Sequence, residues 1–133
     1  MEITIRYKKP PFKSTTEKDL EWFCHALGML GKRDKHKTSL KLFKLFLDAA
    51  KKNKTLSIDE MAKSMKLTRT SIVHHLRYLE SAGLVVEIES KYELRMRNLE
   101  QLIEELQFDI ERSLKKIRKI AEELDKRLSL PLR

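Results

Sequence analysis

The chain has 133 residues, with 29 Lys and Arg against 20 Asp and Glu, for a net charge of +9. That length suits one compact domain, or a small domain with an extension, and is too short for a typical two-domain enzyme. One cysteine excludes an internal disulfide framework and a multi-cysteine metal cluster. No apolar run nears the roughly 18 residues that span a bilayer, and MEITIRYKKPPF lacks the apolar block of a signal peptide. The expectation is a cytoplasmic protein with a polyanionic partner and no membrane.

The charge is uneven. Residues 1–56 hold 14 basic and 6 acidic side chains, densest from Gly31 to Lys37. Lys32, Arg33, Lys35 and Lys37 read either as a solvated loop or as a clamp on phosphate groups.

In chain order, Ile3, Ile5 and Tyr7 alternate with polar neighbours and predict a short strand over 2–7, stopped by Pro10-Pro11. Ser14 and Glu17 have capping-box spacing and predict a helix to about Met29, ended by Gly28 and Gly31. A second helix is expected from Thr38 to Lys52. Its Leu40, Leu42, Phe43, Leu45, Phe46 and Leu47 make an apolar face too wide for a surface stripe, so it belongs in the core. Ser57 and Glu60 form a second capping box for a short helix ending near Met65. Thr68 caps a further helix running to about Ala82, with Gly83 as its stop. Two short helices joined so tightly make a helix-turn-helix unit. Leu84–Glu89 and Tyr92–Arg97 predict a hairpin around Ser90-Lys91, without the Asn-Gly turn signature.

From Asn98 a long helix is expected to about Leu128. Ile103, Ile110, Ile117 and Leu124 recur every seven residues, with Leu99, Leu106 and Ile120 at the complementary heptad position and Leu114 widening the seam. Roughly 30 residues make about 45 Å of helix. That outreaches a domain of this size, so part of this eight-residue stripe is expected to need a partner helix in a coiled-coil homodimer, the alternative being that it packs wholly on its own domain.

Residues 56–86 read LSIDEMAKSMKLTRTSIVHHLRYLESAGLVV. This segment resembles the winged helix-turn-helix of ArsR-like transcriptional regulators: Ile72, His75-Leu76, Leu79 and Ala82-Gly83-Leu84-Val85 fall in step with the family pattern without a gap, and Ala62 takes the small position at the helix crossing. The tail is similar to that of small archaeal members, in which a long C-terminal helix serves dimerisation. The resemblance covers 56–128 and implies double-stranded DNA as the partner. Lys66 stands where many members have Gly, and Val73 replaces the usual Ser, exchanging a hydroxyl for a group that can meet a thymine methyl.

Helical geometry points to the same face. Ile72, Leu76 and Leu79 share one side, while Thr70, His74, Arg77 and Ser81 share the other, flanked by Val73 and Tyr78. Such a polar face is also what any exposed helix shows; in a helix-turn-helix it is the groove-reading face. The candidate DNA contacts are Lys66, Thr68, Arg69, Thr70, Ser71, Val73, His74, Arg77, Tyr78 and, near the hairpin tip, Lys91. His74-His75 sit about 100° apart and do not easily share a metal. Metal-sensing relatives usually carry a Cys pair before the recognition helix or ligand pairs on the C-terminal helix; residues 57–66 hold no Cys and 98–133 no His or Cys. Cys24 reads as a buried thiol, and neither a nucleophile–base signature nor a phosphate loop is present.

The sequence thus predicts a mainly α fold with a small hairpin wing: a basic extension over 1–37, a winged helix-turn-helix over 38–97 and a dimerisation helix over 98–133. The expected function is a dimeric DNA-binding regulator, without enzymatic activity, metal or cofactor; no effector can be read. A winged-helix protein-interaction module is the alternative, and double-stranded RNA or chromatin binding a third.

Overall fold

The computed structural model describes residues 1–30 and 37–132. The order is α1 (Thr16–Ala26), α2 (Thr38–Lys51), α3 (Ile58–Met65), α4 (Arg69–Ser81), β1 (Val85–Ile88), β2 (Lys91–Leu94) and α5 (Leu99–Arg127). The fold is mainly α, with a two-stranded antiparallel hairpin and a long C-terminal helix, as the sequence predicts. Met1–Asn98 form one compact unit and Leu99–Arg133 a second, so the basic N-terminal stretch belongs with the helix-turn-helix.

The core of the first unit is built on α2, whose Leu42, Phe43 and Phe46 are essentially inaccessible. They meet α3, α4 and β2. Met61 of α3, Ile72, Leu76 and Leu79 of α4, and Leu84 are buried with them. Each such side chain contributes about 1.5–3 kcal/mol on leaving water. Phe23 of α1 stacks on Phe43, and Glu17 of α1 pairs with Lys44 of α2. Cys24 is fully enclosed, and burial pushes its thiol up to about 12. It stays protonated and unreactive in the native state.

All five described helices end on the same device, α2 at Asn53 (φ 53) and α5 at Ser129 (φ 55) included. At the end of α1, Gly28 N–H bonds to His25 O and Met29 N–H to Cys24 O; Gly83 and Leu84 repeat the pattern on Glu80 and Leu79, and Lys66 and Leu67 on Lys63 and Ala62. This closure needs a left-handed residue. Gly28 (φ 76) and Gly83 (φ 80) supply it without strain. Lys66 (φ 56, ψ 44) supplies it at a cost of about 1 kcal/mol.

Four sequence expectations are corrected. Residues 2–7 form no strand, because among the described residues the strands β1 and β2 pair with each other and none lies alongside the segment. Instead Glu2 N–H bonds to Ser81 O and Arg6 N–H to Ala26 O, both at 2.8 Å, filling carbonyls at the ends of α4 and α1 that lack intrahelical donors. The cap of α1 is Thr15, which accepts from Lys18 N–H, while Ser14 turns to Asp19. The helix also stops at Ala26, short of the expected Met29. The hairpin turn is Glu89-Ser90, one residue earlier than expected, with Ile88 opposite Lys91. Both turn residues have positive φ (51° and 67°), the mirror-image geometry whose twist suits a two-residue hairpin. Leu56 adds a rung to the hairpin's inner edge, exchanging two 2.8 Å backbone bonds with Tyr92.

In the second unit, α5 has 29 residues, about 44 Å. Leu102, Leu106 and Asp109 are buried, and Asp109 pairs with Arg112. The remaining heptad residues form an open row: Leu99 and Ile110 are half-buried, while Ile103, Leu114, Ile117, Ile120 and Leu124 are exposed. Ile117 shows 63% of its surface. Among the described residues no helix is long and apolar enough to cross a membrane.

Gly28→Ala is expected to lower the urea midpoint, by about 1–3 kcal/mol in stability. A Cβ there would lie 2.7 Å from the Tyr78 hydroxyl and 3.0 Å from Thr4 Cγ2, on a backbone with φ of 76°.

Candidate nucleic-acid interface

The presentation of α4 begins at the turn before it. Ser57 and Glu60 close both halves of the capping box on α3, so that helix has a defined start. Lys66 ends it in the left-handed conformation, and Thr68 caps α4 by accepting from Ser71 N–H at 3.2 Å. Only Lys66, Leu67 and Thr68 separate the two helices. With so short a link, α4 has little freedom to rotate about its own axis.

Its rotation is fixed further by three sets of contacts. Ile72, Leu76 and Leu79 fill the core. His75 Nδ1 lies 3.1 Å from the hydroxyl of Ser39, itself 5% exposed on α2. Tyr78 donates its hydroxyl to Leu27 O at 2.9 Å. Burial raises the pKa of that hydroxyl, opposed by the nearby Arg6 and Thr4.

The sequence-predicted contacts then separate into groups. Thr70, His74 and Arg77 are exposed, with Ser81, on the side opposite the core. Lys66 and Thr68 are exposed at the turn, while Ser71 and Val73 are half-buried on the two sides of that face. Arg69 is exposed and pairs with Asp59 of α3. Such a pair in water is worth less than about 1 kcal/mol, so phosphate can displace it. Lys91 is exposed as the first residue of β2. Tyr78 is a correction. It is half-buried with its hydroxyl spent on Leu27, because the N-terminal segment and α1 lie on that side of α4.

Of the proposed phosphate clamp, Lys32, Arg33 and Lys35 lie outside the described residues. Lys37 pairs with Glu21, and its ammonium holds that carboxyl below the usual carboxylate range. Among the described residues no three His, Cys, Asp or Glu side chains come together in a way that could hold a metal. His74 and His75 rings stand 5.3 Å apart at 76°.

Two features beside α4 escape the sequence reading. On one flank, Glu80 and Glu87 lie close enough that burial and the Glu87 charge together raise the Glu80 pKa, with Arg77 opposing. On the other flank runs the N-terminal segment, with Trp22 Nε1 donating to Lys8 O at 2.8 Å and Tyr7 edge-on to the indole at 6.5 Å. A cleft of about 340 Å³ opens there, lined by Lys8, Lys9, Lys18, Trp22 and His25 among others. The available signal was the absence of any acid between Ile3 and Thr16, across four basic residues.

No family model, curated protein or solved structure matches the chain.

Tyr78→Phe is expected to cost about 0.5–1.5 kcal/mol, measured by denaturant unfolding, because the Leu27 carbonyl loses its donor. Any effect on nucleic-acid binding should be no larger than that loss of stability explains.

Proposed function

We propose that this chain is a dimeric, sequence-specific DNA-binding regulator of transcription, acting in the cytoplasm, that lays α4 in the major groove of duplex DNA. One observation carries the reading: a helix following a three-residue turn presents Thr70, His74, Arg77 and Ser81 to solvent while its other side is locked in the core. Hydroxyls, an imidazole and a guanidinium are the donors and acceptors that base edges and phosphates require. Specific binding needs more surface than one such helix buries, which is the reason for a second copy. The exposed apolar row on α5, from Ile103 to Leu124, supports pairing of two chains. That same row favours the alternative, a protein-docking winged helix; the oligomeric state and DNA affinity divide the two.

Arg77→Ala should keep the fold and weaken DNA binding in anisotropy titrations. The loss is about 1–3 kcal/mol at one operator position if Arg77 reads a guanine. If it meets phosphate, the loss is uniform, with the salt slope lower by about one. Unchanged affinity would remove α4 from this role.

Ile110→Asp with Ile117→Asp puts two charges in the apolar row, which is costly once that row is paired. The double variant is expected to sediment as a monomer and to lose specific binding while retaining some non-specific binding. A wild-type chain that is monomeric at micromolar concentration would contradict the dimer.

A further inference from the structure

The two flanks of α4 carry opposite charge. The hairpin, where a winged helix would be expected to touch the DNA backbone, holds Glu87, Glu89 and Glu93 against the single Lys91 within Val85–Leu94. Glu80 of α4 lies close enough to Glu87 for the two to repel. A phosphate backbone brought here meets carboxylates of its own sign.

The N-terminal segment is the reverse. Between Ile3 and Thr16 it carries Arg6, Lys8, Lys9 and Lys13 and no acid. It is not a loose tail. Glu2 N–H is tied to the end of α4 and Arg6 N–H to the end of α1, and the Lys8 carbonyl takes the Trp22 indole proton. Thr4 and Arg6 lie beside the Tyr78 hydroxyl, one residue along α4 from Arg77. On the arm's side these hydrogen bonds use backbone atoms alone, so its basic side chains are left over. Arg6, Lys8, Lys9 and Lys18 are exposed and form no ion pair among the described residues. Lys8, Lys9 and Lys18 all line the 340 Å³ cleft. Glu21, the acid at its edge, is occupied by Lys37.

We propose that this N-terminal arm, and not the hairpin, is the phosphate-binding flank of the interface: Arg6, Lys8 and Lys9, with Lys18 from the same cleft, hold the sugar–phosphate backbone of the duplex whose groove α4 reads. The proposal rests on the reading of α4 given above. It assigns the arm a positioning role without base specificity.

The test is the salt dependence of binding of the full chain to a random-sequence duplex. Each phosphate contact contributes about 0.9 to the slope of log K against log salt. Arg6→Gln, Lys8→Gln and Lys9→Gln together are expected to lower that slope by about two to three units. Lys91→Gln should change it by less than about one. Glu87→Gln with Glu89→Gln should strengthen binding. Since the substituted side chains make none of the arm's anchoring bonds, the free triple variant should keep wild-type Trp22 emission, which checks that the arm is seated. Trp22 is the only tryptophan, so wild-type emission should also change as DNA is added. A wild-type chain that binds DNA and is weakened by Arg77→Ala, but keeps its slope in the triple variant, overturns the arm and preserves the reading of α4. Trp22 emission unmoved at saturating DNA overturns it as well. A wild-type chain that binds no duplex removes the reading of α4 and this proposal with it.

Discussion

Everything about the candidate interface depends on how α4 is held in the core. A helix of 13 residues is marginal by itself in water and takes its stability from the side it buries. Here that side is Ile72, Leu76 and Leu79, against α2, α3 and β1. Once these three are inward, helical geometry sends Thr70, His74, Arg77 and Ser81 outward. The other contacts tighten the same arrangement. Ser39 meets His75 on one side, Leu27 holds Tyr78, and the Glu2 N–H fills the Ser81 carbonyl at the end. An interface that reads base edges needs such rigidity, since its side chains must project from a helix that does not roll.

Electrostatics then divides the surface. Part of the basic surplus in the first half of the chain is spent on internal pairs, Lys37 with Glu21 and Lys44 with Glu17. These are solvent-facing and worth less than about 1 kcal/mol each. Arg6, Lys8, Lys9 and Lys13 lie on the arm beside α4, while Val85–Leu94 on the other side holds three Glu against one Lys. Sequence pI and net charge speak of a polyanionic partner in general. In the proposed reading, their distribution around α4 sets which side of it duplex DNA approaches.

What could be read from the sequence was local. The box at Ser57 and Glu60, the Thr68 cap and the wide face of α2 each depend on residues within about one helical turn, and each was found where expected. What could not be read depends on distant partners. Alternation at Ile3, Ile5 and Tyr7 matched a strand, but the backbone bonds of that segment go to helix ends at Ser81 and Ala26. Tyr78 looked like part of the open face, because nothing near it in sequence announces Leu27, 51 positions away, as its acceptor. The hairpin turn was misplaced by one residue, since Glu89 and Ser90 adopt positive φ without a glycine or asparagine to mark it. Leu106 fitted the dimer seam by its heptad position, yet it is already buried in the single chain. Periodicity counts apolar residues and does not say which of them the chain covers itself.

The central claim is that two copies of α4, held by one dimer, read one duplex. Selection of bound fragments from a pool of random double-stranded DNA tests it most directly. The account predicts enrichment of a sequence with two inverted half-sites, their centres about 10 base pairs apart or a multiple of it, as two helices in successive major grooves require. A selected pool no different from the input, or one enriched in a lone half-site, would contradict it.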